Sequence, residues 1–237
     1  RRLADLGYEV LTGPAVCRAD ARMGLPSPET LEEHYVWAQE HGADPEFLPA
    51  TRGGFTGVIA TMHCGEGPTV ALRFDIDALG VLEAGDETHL PAREGFRSVT
   101  PGVMHACGHD GHAAVGIGTA MLLREIRARL HGTVRLIFQP AEEGVRGAGS
   151  IVAAGHLDDA DYALAAHVFP AGRAAGLVDI GVLAENGQGG LATSKLDVTF
   201  HGRSAHAGIA PQEGRNALLA AATAVLNLHA IPRFGNT

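Results

Sequence analysis

Four short apolar runs constrain the fold of this 237-residue chain more than any other feature of its sequence. Their length and their glycine-bounded ends are typical of strands buried inside a sheet. They span residues 57–61, 69–74, 133–138 and 163–168. Helical patterns lie between the later runs, after Asp110 and near residues 147–154. Because strands and helices alternate, the sequence predicts an α/β domain with a largely parallel central sheet covered on both faces.

Polar side chains gather where three of these predicted strands end. Asp75 and Asp77 come directly after the second run. Glu142 and Glu143 follow the third, and His167 lies near the end of the fourth. Open α/β sheets bind their ligands beyond the carboxyl ends of the strands. We therefore expect these side chains to meet at one edge of the sheet.

Residues 105–112 form the densest group of potential metal ligands in the chain. The group consists of His105, Cys107, His109, Asp110 and His112, with glycines at 108 and 111. A lone cysteine or histidine is usually a core residue, but five such groups around two glycines are harder to explain in that way. A helical pattern follows at once, marked by Val115, Leu122, Ile126 and Leu130. Thiolate and imidazole together favour zinc or a related divalent ion, bound on a loop that enters a helix.

The two adjacent glutamates need separate tasks. Neighbouring side chains in an extended segment point to opposite sides, so one of Glu142 and Glu143 can bind metal while the other faces a substrate water. A solvated turn is the alternative, but the pair follows the most apolar strand of the chain. Metal-bound histidines usually donate their second N–H to a carboxylate, and we predict Asp75 for that role.

Several histidines do not fit one metal site. His105 and His112 are ambiguous, since eight residues cannot direct every side chain at one ion. His63, His89 and His131 have no clustered neighbours and are interpreted as surface or structural residues.

A second domain is predicted from about residue 189, so that the domains span 1–188 and 189–237. Residues 193–200 alternate polar and apolar side chains, as a half-exposed strand does. His206 follows among small residues, which let a loop approach another surface closely. A helix from about Asn216 to His229 completes the segment.

Composition excludes some classes of partner. The net charge is −9 and no block of Lys or Arg occurs, so nucleic acid is not an expected partner. No stretch is apolar enough to span a membrane. The three cysteines, Cys17, Cys64 and Cys107, have no framework spacing, which predicts free thiols in a reducing, cytoplasmic compartment.

The irregular stretch 17–55 is a further feature of the sequence. We predict one helix in it, from Pro28 to Gln39, with Ser27 as its N-cap. A solvated insertion and a functional one are equally open interpretations.

Five motifs in order resemble the M20 metallopeptidase family, in particular its amidohydrolase branch. They occupy residues 73–79, 104–112, 139–144, 166–168 and 202–207. The resemblance implies a three-layer, zinc-exopeptidase-like catalytic domain and the start of an α+β lid or dimerisation domain. It also implies two divalent metal ions, with zinc, manganese and cobalt all open, and a homo- or hetero-oligomer formed through the lid.

The resemblance also implies roles for single residues. The implied metal ligands are Cys107, His109, Glu143 and His167. Glu142 would be the general base, with Asp75 supporting the catalytic group. His206 would donate to the tetrahedral intermediate and, with Asn216, bind substrate.

Within this branch, the insertion at 20–56 and residues 93–96 resemble one of the two chain types of a folate-breakdown amidohydrolase, which implies p-aminobenzoyl-glutamate as substrate. The alternatives are a general N-acyl-amino-acid deacylase and a non-catalytic partner subunit. The family's N-terminal helix, its last metal-binding histidine and the second half of its lid have no counterpart here. We therefore expect a fragment of a longer protein.

Overall fold

The computed structural model describes residues 1–168 and 196–231. The chain divides into two compact units, Arg1–Gly189 and Gly190–Thr237, and each is described by itself. The first unit contains a five-stranded sheet with helices on both faces, and the second contains a loop and one long helix. The assignment of these units as catalytic and lid domains stays a prediction.

The strands are β1 (Glu9–Thr12), β2 (Val58–His63), β3 (Thr69–Asp75), β4 (Thr133–Gln139) and β5 (Tyr162–Ala165). The α-helices of the first unit are α1 (Arg2–Asp5), α2 (Pro28–Glu40), α3 (Leu90–Arg93), α4 (His109–Glu125) and α5 (Ala148–Ala153). The second unit contains α6 (Ala217–His229). All four apolar runs of the sequence form strands, although β5 ends at Ala165, earlier than the run that predicted it.

The strand order in the sheet is β1-β2-β4-β3-β5. Strand β2 is antiparallel to β1 and β4, whereas β3 is parallel to β4 and β5. Among the described strands, β2 therefore runs against the rest, and the predicted mostly parallel α/β sheet is confirmed. Asp75 pairs with Gln139 at the ends of β3 and β4, so both strands deliver their following residues to the same edge.

The core lies on both faces of the sheet, because alternate residues of β4 point to opposite sides. Leu136 and Phe138 pack on one face with Ala120 of α4, and Ile137 packs on the other with Ile151 of α5. Leu136 is fully buried, and burying such a side chain contributes about 1.5–3 kcal/mol. A strand covered on both sides explains the continuous apolar run at 133–138.

Helix α4 approaches the sheet through small residues. A Cβ placed on Gly116 would lie 2.6 Å from the Phe138 ring, so any larger residue would push the helix away. The apolar positions that marked this helix in the sequence lie elsewhere, since Val115 is 57% and Leu122 is 70% exposed. The buried face carries His109 and His112 in addition to Gly116, which places both imidazoles against the sheet edge.

The insertion contains the predicted helix. In α2 the Ser27 hydroxyl accepts a hydrogen bond from the Thr30 N–H, with Pro28 in the first turn. All three cysteines are free, as predicted. Within residues 1–168 and 196–231, no helix combines the length and apolar character needed to cross a bilayer.

In the second unit, residues 193–195 of the predicted strand lie outside the described residues. Residues 196–200 form no strand, and the described strand-like pairing in this unit is the single bridge between Arg203 and Arg215. A strand requires a partner along its length, so alternation alone does not produce one. The predicted helix is present as α6, with Asn216 as its N-cap.

Candidate metal centre

Gly108 allows the loop at 105–112 to turn into α4. Its φ of +85° is the left-handed conformation, which glycine adopts without steric cost. A Cβ at this position would also lie 2.6 Å from the Val168 side chain, so the site has no space for another residue. His109 then begins the helix and His112 follows one turn later, both buried.

Three groups of ligand-type atoms share His109, and one of them joins it to Asp75 and His112. The other two contain the residues predicted as ligands or base. The ligand atoms of His109 lie within 4.8 Å of those of Cys107 and His167, whose Sγ and Nε2 atoms are 3.4 Å apart. They also lie within 4.8 Å of carboxylate oxygens of Glu142 and Glu143. The structure thus brings together all five residues that the sequence placed at this edge as metal ligands or base. Their assignment as ligands and base stays a prediction.

The turn that carries the two glutamates is tight. Ala141 and Val145 have φ angles of +53° and +59°, a region in which each non-glycine residue costs about 1–3 kcal/mol. The Val145 N–H donates to the Glu142 carbonyl at 2.7 Å, and the Gly147 N–H donates to the Ala141 carbonyl at 2.8 Å. Such strain at a functional site is consistent with a backbone held in place for its side chains.

Asp77, rather than the predicted Asp75, contacts the His109 ring, and the supporting role of either carboxylate stays a prediction. One Asp77 carboxylate oxygen lies 3.1 Å from His109 Nδ1, and the other accepts the Glu143 N–H at 2.9 Å. Asp75 lies instead beside His112, with 3.5 Å between its Oδ2 and His112 Nδ1. The physical reason is the end of β3: Asp75 is still in the strand and faces the second turn of α4, whereas Asp77 lies beyond it and reaches the first turn.

The buried polar atoms indicate whether a cation fits. His109 Nε2 and Glu143 Oε1 are buried and have no hydrogen-bond partner among the described residues. Because the other nitrogen of His109 faces Asp77, the Nε2 lone pair is directed into the site. Buried polar groups without partners are costly unless a ligand satisfies them. These residues therefore fit a divalent metal ion.

The negative charge of the site also fits a divalent metal ion. Burial, followed by the charge and hydrogen bonding of Glu143 and the charge of Glu142, raises the pKa of Cys107 to about 11. A thiolate there is disfavoured in the metal-free protein because negative groups already crowd the site. A divalent cation reverses that balance, since a coordinating thiol is deprotonated.

The sequence left two residues of this site unassigned. His112 is buried, its ring lies 4.6 Å from that of His167, and it accepts a hydrogen bond from the Val168 N–H. Asp77 received no separate role from the sequence, and its position two residues from Asp75 was the signal. His105 stays at the exposed side, with Nδ1 3.1 Å from the Asp77 carbonyl oxygen.

The remaining predicted site residues lie in the second unit. The N–H groups of Gly208 and Ile209 donate to His206 Nδ1 at 3.1 and 3.2 Å. The Asn216 side chain accepts the Leu219 N–H at 3.0 Å and so caps α6. Both side chains are exposed, and their roles toward substrate stay predictions.

The chain is similar to several curated hydrolases. The chain is 51% identical over 97% of its length to indole-3-acetyl-aspartic acid hydrolase of Enterobacter agglomerans, covering 52% of that relative. It is 48% identical, over 97% of its length, to one named subunit of the p-aminobenzoyl-glutamate hydrolase of Escherichia coli, covering 51% of it. It therefore spans about half the length of these curated relatives.

A solved structure agrees with these relatives. The crystal structure of an aminobenzoyl-glutamate utilization protein from Klebsiella pneumoniae matches 99% of the chain with a TM-score of 0.69 and 40% identity, covering 52% of that chain. The profile of peptidase family M20/M25/M40 matches residues 71–235, which include every residue of the candidate metal centre. The chain belongs to this peptidase family.

Proposed function

We propose that the protein is a metal-dependent amidohydrolase that cleaves the amide bond of an N-acyl amino acid. One observation carries the proposal: thiol, imidazole and carboxylate ligand atoms from three separate segments converge on His109, and two of these atoms are buried without hydrogen-bond partners. Burying so many polar atoms together destabilises a core unless they bind a ligand, and a cation would satisfy them. Cys107, His109, Glu143 and His167 would hold two divalent ions, with the thiol favouring zinc and the other ligands leaving manganese and cobalt open.

The two glutamates take different roles in this proposal. Glu143 has a buried carboxylate oxygen, and Asp77 fixes its backbone N–H, as suits a ligand. The Glu142 side chain is 31% exposed, so it can reach a water on the open side. Divalent ions held by these ligands would polarise an amide carbonyl and lower the pKa of a water. Glu142 then accepts the proton of the attacking water and returns it to the leaving amine.

His206 is prepared to act as a donor. Because two backbone N–H groups donate to its Nδ1, the proton of the neutral ring lies on Nε2. An exposed Nε2–H can donate to the oxyanion of the tetrahedral intermediate. We propose this role for His206, either within its own chain or across an oligomer formed through the second unit. Asn216 is proposed to help bind substrate.

Substrate and partner are proposed from the relatives. The names of the two relatives carry aspartate and glutamate as the amino-acid part, so we propose an acidic N-acyl amino acid, with p-aminobenzoyl-glutamate as the first candidate. We propose further that the protein acts in folate breakdown in the cytoplasm. One relative carries the word subunit in its name, which favours an oligomer, homomeric or with a sister chain.

The experiment measures metal content and hydrolysis together, with the full-length protein. We expect bound divalent metal and hydrolysis of p-aminobenzoyl-glutamate faster than of indole-3-acetyl-aspartate or N-acetylcysteine. Fastest turnover of N-acetylcysteine would support the general deacylase instead. Metal binding without hydrolysis of any of the three would support the non-catalytic partner subunit.

A further inference from the structure

His167 lies beyond the described pairing of the sheet. Strand β5 pairs with β3 over four residues, and the last pair joins Arg73 and Ala165. His167 lies two residues beyond that pair. Among the described strands β5 lies at the edge of the sheet, and contacts beyond its pairing help to hold the residues that follow it.

The residue after His167 receives two contacts from the loop and helix at 105–112. The Val168 N–H donates to His112 Nε2 at 3.1 Å. The Val168 side chain also lies against Gly108, where a Cβ would come within 2.6 Å of it. One short segment therefore supplies Cys107 and His109 and also holds the backbone next to His167.

One nitrogen of His112 is hydrogen-bonded, and the other is buried near a carboxylate without a hydrogen bond. Its Nε2 accepts the Val168 N–H, so the proton of the neutral ring lies on Nδ1, 3.5 Å from a carboxylate oxygen of Asp75. Asp75 is fully buried and pairs with Arg73 on the same strand. A ligand atom of His112 lies within 4.8 Å of those of Asp75 and His109, but in this tautomer Nε2 accepts the Val168 N–H and Nδ1 carries the proton, so the ring offers no lone pair to a metal ion. It is surrounded by ligands without being one.

We infer that His112 is a positioning residue: its Nε2 holds the Val168 backbone and thereby places His167 beside Cys107 and His109. The inference rests on the proposed metal-binding function. It also explains why a third histidine stands one helical turn after His109, buried and unused by the reaction. Residues that orient a ligand typically change metal affinity by roughly 10–100-fold when they are replaced.

Two substitutions test the roles of the two His112 ring nitrogens independently. In His112→Gln the side-chain amide reaches the position of Nε2 and can still accept the Val168 N–H. In His112→Asn it reaches only the position of Nδ1, so it can face Asp75 but not Val168. Co²⁺ titrated into the metal-free, full-length protein reports affinity, and its visible spectrum reports the ligand set. The matched control is the same pair of substitutions at His34, an exposed residue of α2.

We expect His112→Asn to weaken Co²⁺ binding by roughly 10–100-fold and to change the visible spectrum, while His112→Gln stays close to the parent. Amide hydrogen exchange at Val168 in the metal-free protein should be faster in the Asn variant and unchanged in the Gln variant. Equal affinities in both variants, whether high or low, would overturn the inference. A loss confined to the Gln variant would overturn it too, because the Asp75 side would then be the one that matters.

The two proposals fail differently. A parent protein that binds no Co²⁺ contradicts the proposed function, but exchange at Val168 still tests the His112 contact on its own. A parent that binds Co²⁺, with Val168 exchange equal in both variants, leaves the function standing and removes the inference.

Discussion

The candidate metal centre and the loop around His206 are organised in opposite ways. At the metal centre the contacts join segments far apart in the chain, such as Asp77 with Glu143 and His112 with Val168. Around His206 the described hydrogen bonds come from residues two and three positions later in the same loop. The first site depends on strands that bring distant residues together. In the second, local hydrogen bonds determine only the tautomer of His206. The proposed metal-binding and oxyanion-binding roles should therefore respond separately to mutation.

The largest expected effect is on turnover through Glu142. Glu142→Gln should retain the metal and lower turnover by roughly 10²–10⁴, because the proton acceptor is lost while its neighbours stay. Metal content and steady-state kinetics on p-aminobenzoyl-glutamate measure both quantities. Glu143→Gln is the comparison, and it should lose metal as well. Near-normal turnover of Glu142→Gln would place the base elsewhere.

The next effect belongs to the second unit. His206→Ala should lower turnover by roughly 10²–10³, the usual loss for one oxyanion donor, with metal content unchanged. His201→Ala, which changes another exposed histidine of the same unit, is the control. If sites are completed across an oligomer, mixing the His206→Ala and Glu142→Gln proteins should restore part of the activity. If His206→Ala lost metal, the two regions would not respond separately to mutation.

A smaller effect is expected at Asp77. Asp77→Ala should weaken metal binding by roughly 10–100-fold, because both the His109 ring and the Glu143 backbone lose the carboxylate that orients them. Competition with a chelator measures this change. Asp75→Ala is the matched comparison: if it weakens metal binding more than Asp77→Ala does, the direct contact to His109 is not the main support.

The smallest effect is a pH dependence of metal affinity. In the metal-free protein the raised pKa of Cys107, about 11, keeps the thiol protonated at neutral pH. Metal binding takes the thiolate and releases that proton, so affinity should rise with pH. Where one proton, that of the thiol, is released for each ion bound, the rise is roughly tenfold per pH unit. Titrations in Cys107→Ala should show a flatter profile, and an equal slope in both proteins would contradict the assignment.

Much of this site was readable from residue chemistry and local pattern. The cluster at 105–112, the glutamate pair and His167 were predicted to meet because strand ends share an edge, and they do. The sequence could not show which of Asp75 and Asp77 contacts His109, because the two residues are two positions apart and point to the same side of an extended segment. The contact depends on where β3 stops relative to the first turn of α4, a distance of a few ångströms set by packing.

The sequence by itself determined the alternation of strands and helices, the cap of α2, and the family. Only the tertiary structure decided which face of α4 is buried and which histidine orients another. Apolar spacing predicted a helix through Val115 and Leu122, yet Gly116 faces the sheet because the ring of Phe138 leaves space for no larger residue. The spacing of apolar residues depends only on neighbours along the chain. How closely a helix packs on a sheet depends on the volumes of side chains from distant parts of the sequence.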